Sequence, residues 1–205
     1  MKNKSLKTIA AIVAIISLSL TGIKPASAQT PGLVGMDHVG FNVPNLDEAV
    51  KFFIDVLGFH KVYEEGKLPL NADAKKAFNI RQSAEVMHIA MLTTGTGSNI
   101  ELFEYNSPER DMKRPMNDDI GWYHIAVYTD NMDKSVAYLK AKGVEFIGAP
   151  IEHKTGPNGG LTGVYFKTPW GLQIELVTYP RGMEYEKAHP RYKLWSPKNN
   201  RVKNQ

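Results

Sequence analysis

The chain has 205 residues, 42% of them hydrophobic, six histidines, no cysteine and a formal charge of +4. Without cysteine there are no disulfides, no thiolate nucleophile, no thiolate metal site and no lipid-bearing N-terminal cysteine. Any metal site must be built from His and carboxylates, which suits a hard or borderline ion.

Met1 to Lys7 is a basic start, Thr8 to Ile23 is apolar but short for a bilayer span, and Ala26-Ser27-Ala28 is a small-x-small cleavage site. This pattern predicts a signal peptide over residues 1–28 and an exported chain, periplasmic or secreted, with no membrane association after cleavage. Cleavage removes Lys2, Lys4, Lys7 and Lys24 and no acid, so the formal charge falls to zero and 177 residues remain. The basic precursor is therefore no footprint of a nucleic-acid partner. The mature length suits one good core.

Met36 to Val43 reads as a strand containing His38, ended by Pro44-Asn45. Asn45 has the chemistry of an N-cap, with Glu48 three residues on. Leu46, Ala49, Val50, Phe53 and Leu57 follow at helical spacing, and Gly58 stops the helix. Phe59 to Tyr63 is a second strand. Residues 64–83 are polar, with a short helix near Ala74–Phe78. Glu85 to Thr93 and Asn99 to Tyr105 are the third and fourth strands, joined by a Gly-rich turn. The order is β-α-β-β-β.

After a polar linker, 106–121, the same order restarts. Trp122 to Thr129 is a strand containing His124. Asn131 caps a helix with Met132, Val136 and Leu139, and Gly143 ends it. Val144 to Ile147 is a strand, and a loop from His153 to Gly160 leads to another at Gly163–Lys167. Thr168-Pro169-Trp170-Gly171 has turn chemistry, and Leu172, Ile174 and Leu176 then alternate with Gln173, Glu175 and Val177. The reading is two tandem modules, 36–105 and 122–178, followed by a basic, aromatic tail over 179–205.

The two halves repeat. A slide of 86 lays His38 on His124, Asn45 on Asn131 and Val50 on Val136; a slide of 74 lays Ile100-Glu101-Leu102 on Ile174-Glu175-Leu176. A lone strand Glu, Glu104 included, often lies on a wet face, and a lone strand His is often a hydrogen-bonded core residue. Four such residues at equivalent places in apolar strands point instead to metal binding. Two imidazoles and two carboxylates suit one divalent ion: Zn, Ni, Co, Mn or Fe.

Asp37-His38-Val39, the Asn45–Gly58 helix, Ile100-Glu101-Leu102, Tyr123-His124-Ile125-Ala126-Val127 and Thr168-Pro169-Trp170-Gly171 with Ile174-Glu175-Leu176 resemble the vicinal oxygen chelate superfamily, the glyoxalase/bleomycin-resistance/dioxygenase proteins. The resemblance covers essentially all of residues 36–178. It implies an α+β fold in which paired βαβββ modules form a half-open barrel around a metal. It implies His38, Glu101, His124 and Glu175 as ligands.

The full His-Glu-His-Glu set is most similar to glyoxalase I. That likeness implies a lyase or isomerase, in which a small molecule with adjacent oxygens is carried through a metal-bound enediolate. Glu175 is then ligand and base, and Glu101 its partner carboxylate. Asn42 stands where glyoxalase I usually has an arginine for a glutathione carboxylate, so the substrate does not carry over.

Two alternatives stay open. Val164-Tyr165, Thr168-Pro169, Gly171 and Glu175 also resemble the extradiol dioxygenase signature, with His153 as its histidine at a longer spacing. That reading implies Fe(II) held by His38, His124 and Glu175 and a catechol substrate. A third class is a protein that only sequesters small molecules. Tyr165, His153, Phe103 and Tyr105 are candidate substrate contacts. His60, His88 and His189 have no counterpart in the repeat and read as structural or exposed. The linker is long enough for a site within one chain or one shared across a homodimer.

Overall fold

The computed structural model describes residues 33, 35–113, 115–121 and 123–199. The expected signal peptide, Trp122 and residues 200–205 lie outside the described residues. Among the described residues no helix is long and apolar enough to cross a membrane.

The first module runs β1 (His38–Val43), α1 (Leu46–Asp55), β2 (His60–Glu65), α2 (Ala72–Ala77), β3 (Glu85–Thr93) and β4 (Asn99–Asn106). The second runs β5 (Ile125–Tyr128), α3 (Met132–Ala141), β6 (Glu145–Phe146), β7 (Ile151–Glu152), β8 (Thr162–Lys167) and β9 (Gln173–Thr178). The strand orders are β1-β4-β3-β2 and β5-β9-β8-β6, with β7 also paired to β8. In each sheet the first and last strands of the module are parallel neighbours and the remaining pairs are antiparallel. This is the expected α+β fold of two βαβββ modules. Each sheet is open, with free edges, rather than closed into a barrel.

The helices form where the caps and apolar spacing dictate. The Asn45 side chain accepts from the Glu48 backbone N–H at 2.9 Å, and Asn131 accepts from Lys134 N–H at 3.0 Å. Each satisfies one donor that a helix start leaves unpaired. Leu46, Ala49, Val50 and Phe53 fall on one face of α1 and are all buried. Removing a side chain the size of Phe53 from water stabilises the fold by about 1.5–3 kcal/mol. Gly58 ends this helix at φ +75°, a conformation that costs glycine little.

One apolar core serves both modules. Trp170, from the turn before β9, stands edge-on to Phe52 of α1 with ring centroids 5.7 Å apart. The turn itself closes through Gly171 N–H to the Thr168 carbonyl and Leu172 N–H to the Thr168 hydroxyl, both at 2.9 Å. The tail packs back in part: Tyr179 and Ser196 hydroxyls are 3.1 Å apart, and a Cβ on Gly97 would lie 2.9 Å from the Trp195 ring.

Several element bounds differ from expectation. The β5 strand begins at Ile125, where pairing with Ile174 starts, so Tyr123 and His124 precede the first paired rung. The strand expected over Val144–Ile147 keeps only Glu145–Phe146, because β7 takes over the neighbouring stretch of β8. The short helix lies slightly earlier, at Ala72–Ala77, where Asn71 caps it by accepting from Ala74 N–H at 2.8 Å. Glu104, open to a solvated reading from sequence, is part-buried and accepts from the Leu46 backbone N–H at 2.7 Å. It tethers the start of α1 to the sheet.

Candidate metal and proton-transfer site

The parallel pair in each module places a histidine beside a glutamate. Gly40 is the register partner of Glu101, and Ala126 that of Glu175. Each histidine sits two residues before its small residue, so it lies on the same face of the strand. Neither Gly40 nor Ala126 has a side chain large enough to separate the two. Nε2 of His38 is accordingly 3.1 Å from Oε2 of Glu101, and Nε2 of His124 is 3.3 Å from Oε2 of Glu175. The glutamate side chains are only 19% and 18% exposed, so these carboxylates are largely taken out of water. The positions 86 and 74 residues apart in sequence occupy matching rungs in the two sheets.

The surroundings of the two pairs differ. Asp37 Oδ2 lies 2.8 Å from Nδ1 of His38. That hydrogen bond raises the His38 pKa above its ordinary value; desolvation opposes it, and the charges of Glu101 and Asp37 add to it. His124 instead meets the edge of the Tyr165 ring at 90°, centroids 5.2 Å apart. Tyr165 is the cross-strand partner of Glu175. Burial, and then the Glu175 charge, push the Tyr165 hydroxyl up. Burial and then the Glu101 charge do the same to Tyr105. Both tyrosines therefore keep their protons well past neutrality and can donate.

Phe103 and Tyr105 stack at 5.8 Å along β4, on the face that carries Glu101. His153 lies exposed beyond the end of β7, where its backbone N–H donates to the Leu161 carbonyl at 2.8 Å. Of the four candidate substrate contacts, Tyr165 touches His124, Phe103 reaches Gly40, and Tyr105 lies further along β4 but within range of the Glu101 charge. Two cavities, of about 650 and 780 Å³, flank the pairs rather than enclose them; His124 lines the first, Asn42 and Tyr105 the second.

Two further residues bear on the site and were not read from sequence. Asp37 was visible only as the neighbour of His38. Gly163, the register partner of Val177, lies beside the Glu175 side chain: a Cβ built on it would lie 2.7 Å from Glu175 Oε1, closer than real Cβ contacts. A strand glycine commonly marks such a close approach, which is the one signal it carried.

The donor chemistry fits a divalent ion. With bonds of about 2.1 Å, neighbouring ligand atoms on one ion are about 3.0–3.4 Å apart. Both His–Glu pairs have that separation. Among the described residues, no group of three or more His, Asp or Glu side chains is gathered closely enough to hold an ion. The structure presents two half-sets of ligands, one per module.

The profile of the Glyoxalase/Bleomycin resistance protein/Dioxygenase superfamily matches residues 35–176. A 2-epi-5-epi-valiolone epimerase from Actinomyces sp. is 38% identical over 161 residues, 76% of this chain and 85% of that protein. A glyoxalase family protein from Bacillus cereus superposes with a TM-score of 0.59 at 24% identity, covering 75% of this chain and 98% of the other. The trypanothione-dependent glyoxalase I of Leishmania major superposes with a TM-score of 0.50 at 19% identity, covering 77% and 94%. At these identities the structural likeness is one of fold. The matched profile spans both modules and all four candidate ligands, and the chain belongs to the Glyoxalase/Bleomycin resistance protein/Dioxygenase superfamily.

Proposed function

We propose that the protein is a metal-dependent enzyme of isomerase type, moving a proton at a carbon beside a carbonyl in a small, oxygen-rich molecule. The observation that carries this reading is the doubled His–Glu pair, at 3.1 and 3.3 Å, on equivalent rungs of the two modules. The similarity to an epimerase at 38% identity supports the reaction type. His38, Glu101, His124 and Glu175 would hold one divalent ion, which when bound supplies a Lewis acid next to the reacting carbon.

The residues around it divide the work. Glu175 removes the proton, and Glu101, its counterpart in the other module, returns one on the opposite face of the carbon. Two bases on opposite faces invert a stereocentre. One base acting twice on one face moves the proton without inversion, which is the glyoxalase I-like outcome. The near-burial of both carboxylates keeps competing water away from the reacting carbon. Tyr165 and Tyr105, held protonated, can donate to substrate oxygens.

The extradiol dioxygenase reading needs Glu101 free of the metal set. Glu101 and Glu175 are instead equivalent in register and in distance to a histidine. The test is hydrogen exchange. The purified protein, loaded in turn with Zn, Ni, Co, Mn and Fe(II), is incubated in D₂O with 2-epi-5-epi-valiolone and with simple α-hydroxyketones, and proton NMR is followed. Metal-dependent loss of the signal beside the carbonyl, with appearance of an epimer or isomer, is expected. Oxygen uptake with a catechol and no exchange in any ketone would contradict the reading.

A further inference from the structure

A second constellation lies further along the face that carries Glu101. Asn42 is four residues beyond His38 on β1, and Tyr105 is four residues beyond Glu101 on β4. Even spacing keeps them on the same face as the pair, about 13 Å along the strands. Both line the cavity of about 780 Å³. The far wall of that cavity comes from the loop before β3 and from the start of the segment joining the modules.

That wall is cationic. Arg81, Arg110 and Lys113 line it against a single carboxylate, Asp111. Asp111 Oδ1 is turned to its own loop, accepting from the Lys113 backbone N–H at 2.8 Å. Arg110 donates one guanidinium N–H to the Tyr105 carbonyl at 3.0 Å, which fixes its head at the end of β4 and leaves its other donors available. Among the described residues, none of the three cations is in an ion pair; the chain's ion pairs use other lysines and two histidines. Surface cations without partners are common. Among the described residues, three cations against one acid leave the wall of this cavity net positive.

An independent observation comes from Ser107. It lines the same cavity, is 9% exposed, and its hydroxyl is buried with no hydrogen-bond partner among the described residues. A buried hydroxyl without a partner is costly, so such groups are rare unless something completes them. A hydroxyl donates readily to an oxyanion, and arginine's fixed fork matches carboxylate and phosphate. We propose that this cavity is an oxyanion subsite, in which Arg81, Arg110, Lys113 and the Ser107 hydroxyl hold the acidic group of the substrate.

The substrate of this enzyme is then an extended anion: a carbonyl compound bearing a phosphate or a carboxylate about 13 Å from the reacting carbon. Its acidic end is anchored on the linker side and its reacting carbon is presented to the His–Glu pairs. This rests on the isomerase reading only for the word substrate; the anion site itself stands on the cavity.

The test is binding of simple anions to the full-length mature protein stripped of metal with a chelator, at low ionic strength because exposed cations are screened by salt. Inorganic phosphate and malonate are titrated separately by calorimetry and by amide chemical shifts. Saturable binding of one of them is expected, with shifts concentrated at 81, 107, 110 and 113. Phosphate as the tighter ligand assigns a phosphorylated substrate, and malonate a carboxylated one. Arg81→Gln with Lys113→Gln should weaken binding by ten-fold or more. Ser107→Ala should weaken it several-fold while leaving the fold intact, since it removes a buried hydroxyl that no described residue satisfies. His38→Ala, which disables the reaction, should leave anion affinity unchanged, so failure of the isomerase reading and failure of this one are separable. No saturable binding of either anion, or binding indifferent to the double charge removal, would overturn the proposal.

Discussion

Asp37 Oδ2 lies 2.8 Å from Nδ1 of His38, whereas the matching place in the second module is Tyr123 and carries no carboxylate. The two histidines are thus equivalent in position and unequal in electrostatics. Accepting from Nδ1–H orients the imidazole so that Nε2 faces Glu101 and any ion beside it. The same carboxylate stabilises the imidazolium, so a proton competes harder for His38 than for an ordinary histidine.

This asymmetry has a pH consequence. In metal-free protein His38 should titrate above its ordinary value of 6.5. A group whose folded pKa is raised adds stability that is complete below the unfolded value and is lost as pH rises through the folded one. The contribution is small, because the side chain is 39% exposed and solvent screens it. The larger effect is on metal uptake, which should fall away as pH drops through the raised value. Histidine NMR titration checks this: Asp37→Asn should lower the His38 pKa and move the uptake curve to lower pH by the same amount. An unmoved His38 titration would show that Asp37 does not set it.

Gly163→Ala should damage the site without damaging the fold. Its β8 backbone suits alanine, but the new methyl would lie 2.7 Å from Glu175 Oε1. The carboxylate must turn aside, which is cheap for a flexible side chain and costly for alignment with the reacting carbon. We expect kcat/KM to fall at least ten-fold and stability to change by less than about 1 kcal/mol. Wild-type kinetics in this variant would mean that the position of Glu175 is not limiting.

Glu104→Ala should do the reverse. The carboxylate holds the start of α1 through Leu46 N–H at 2.7 Å, and a charged acceptor at a helix N-terminus contributes about 1–2 kcal/mol. Urea unfolding should show a loss of that order, with unchanged activity per folded molecule. A large loss of kcat at full folding would instead tie Glu104 to the chemistry.

Much of this was legible in the sequence because it is local or periodic. Asn45 and Asn131 announced their helices. The offsets of 86 and 74 laid His38 on His124 and Glu101 on Glu175, and the two glutamates sit on matching rungs, opposite Gly40 and Ala126. What escaped depends on contacts between segments distant in the chain. Glu104 looked like any exposed strand acid, because its partner Leu46 is 58 residues away. Gly163 gave no hint of Glu175, and the short β7 strand is defined only by its pairing with β8. Ser107, Arg81 and Arg110 meet around one cavity only after the β3–β4 hairpin and the linker have folded.

The variants of the four candidate ligands separate the chemical readings. Glu175→Gln keeps an oxygen donor but loses the base, so it should retain appreciable metal while proton exchange collapses. Glu101→Gln should sharply reduce an isomerase and largely spare an extradiol dioxygenase that uses His38, His124 and Glu175. Metal content must be measured beside activity in both cases, since loss of the ion and loss of the base otherwise look alike.

The central claim is that the two His–Glu pairs, one per module, serve a single ion. Metal stoichiometry by elemental analysis of the wild type, His38→Ala and His124→Ala tests it most directly. The account predicts one divalent ion per chain in the wild type and close to none in either variant, because each removes a nitrogen donor from the same site. Two ions per chain in the wild type, or one retained in both variants, would contradict it.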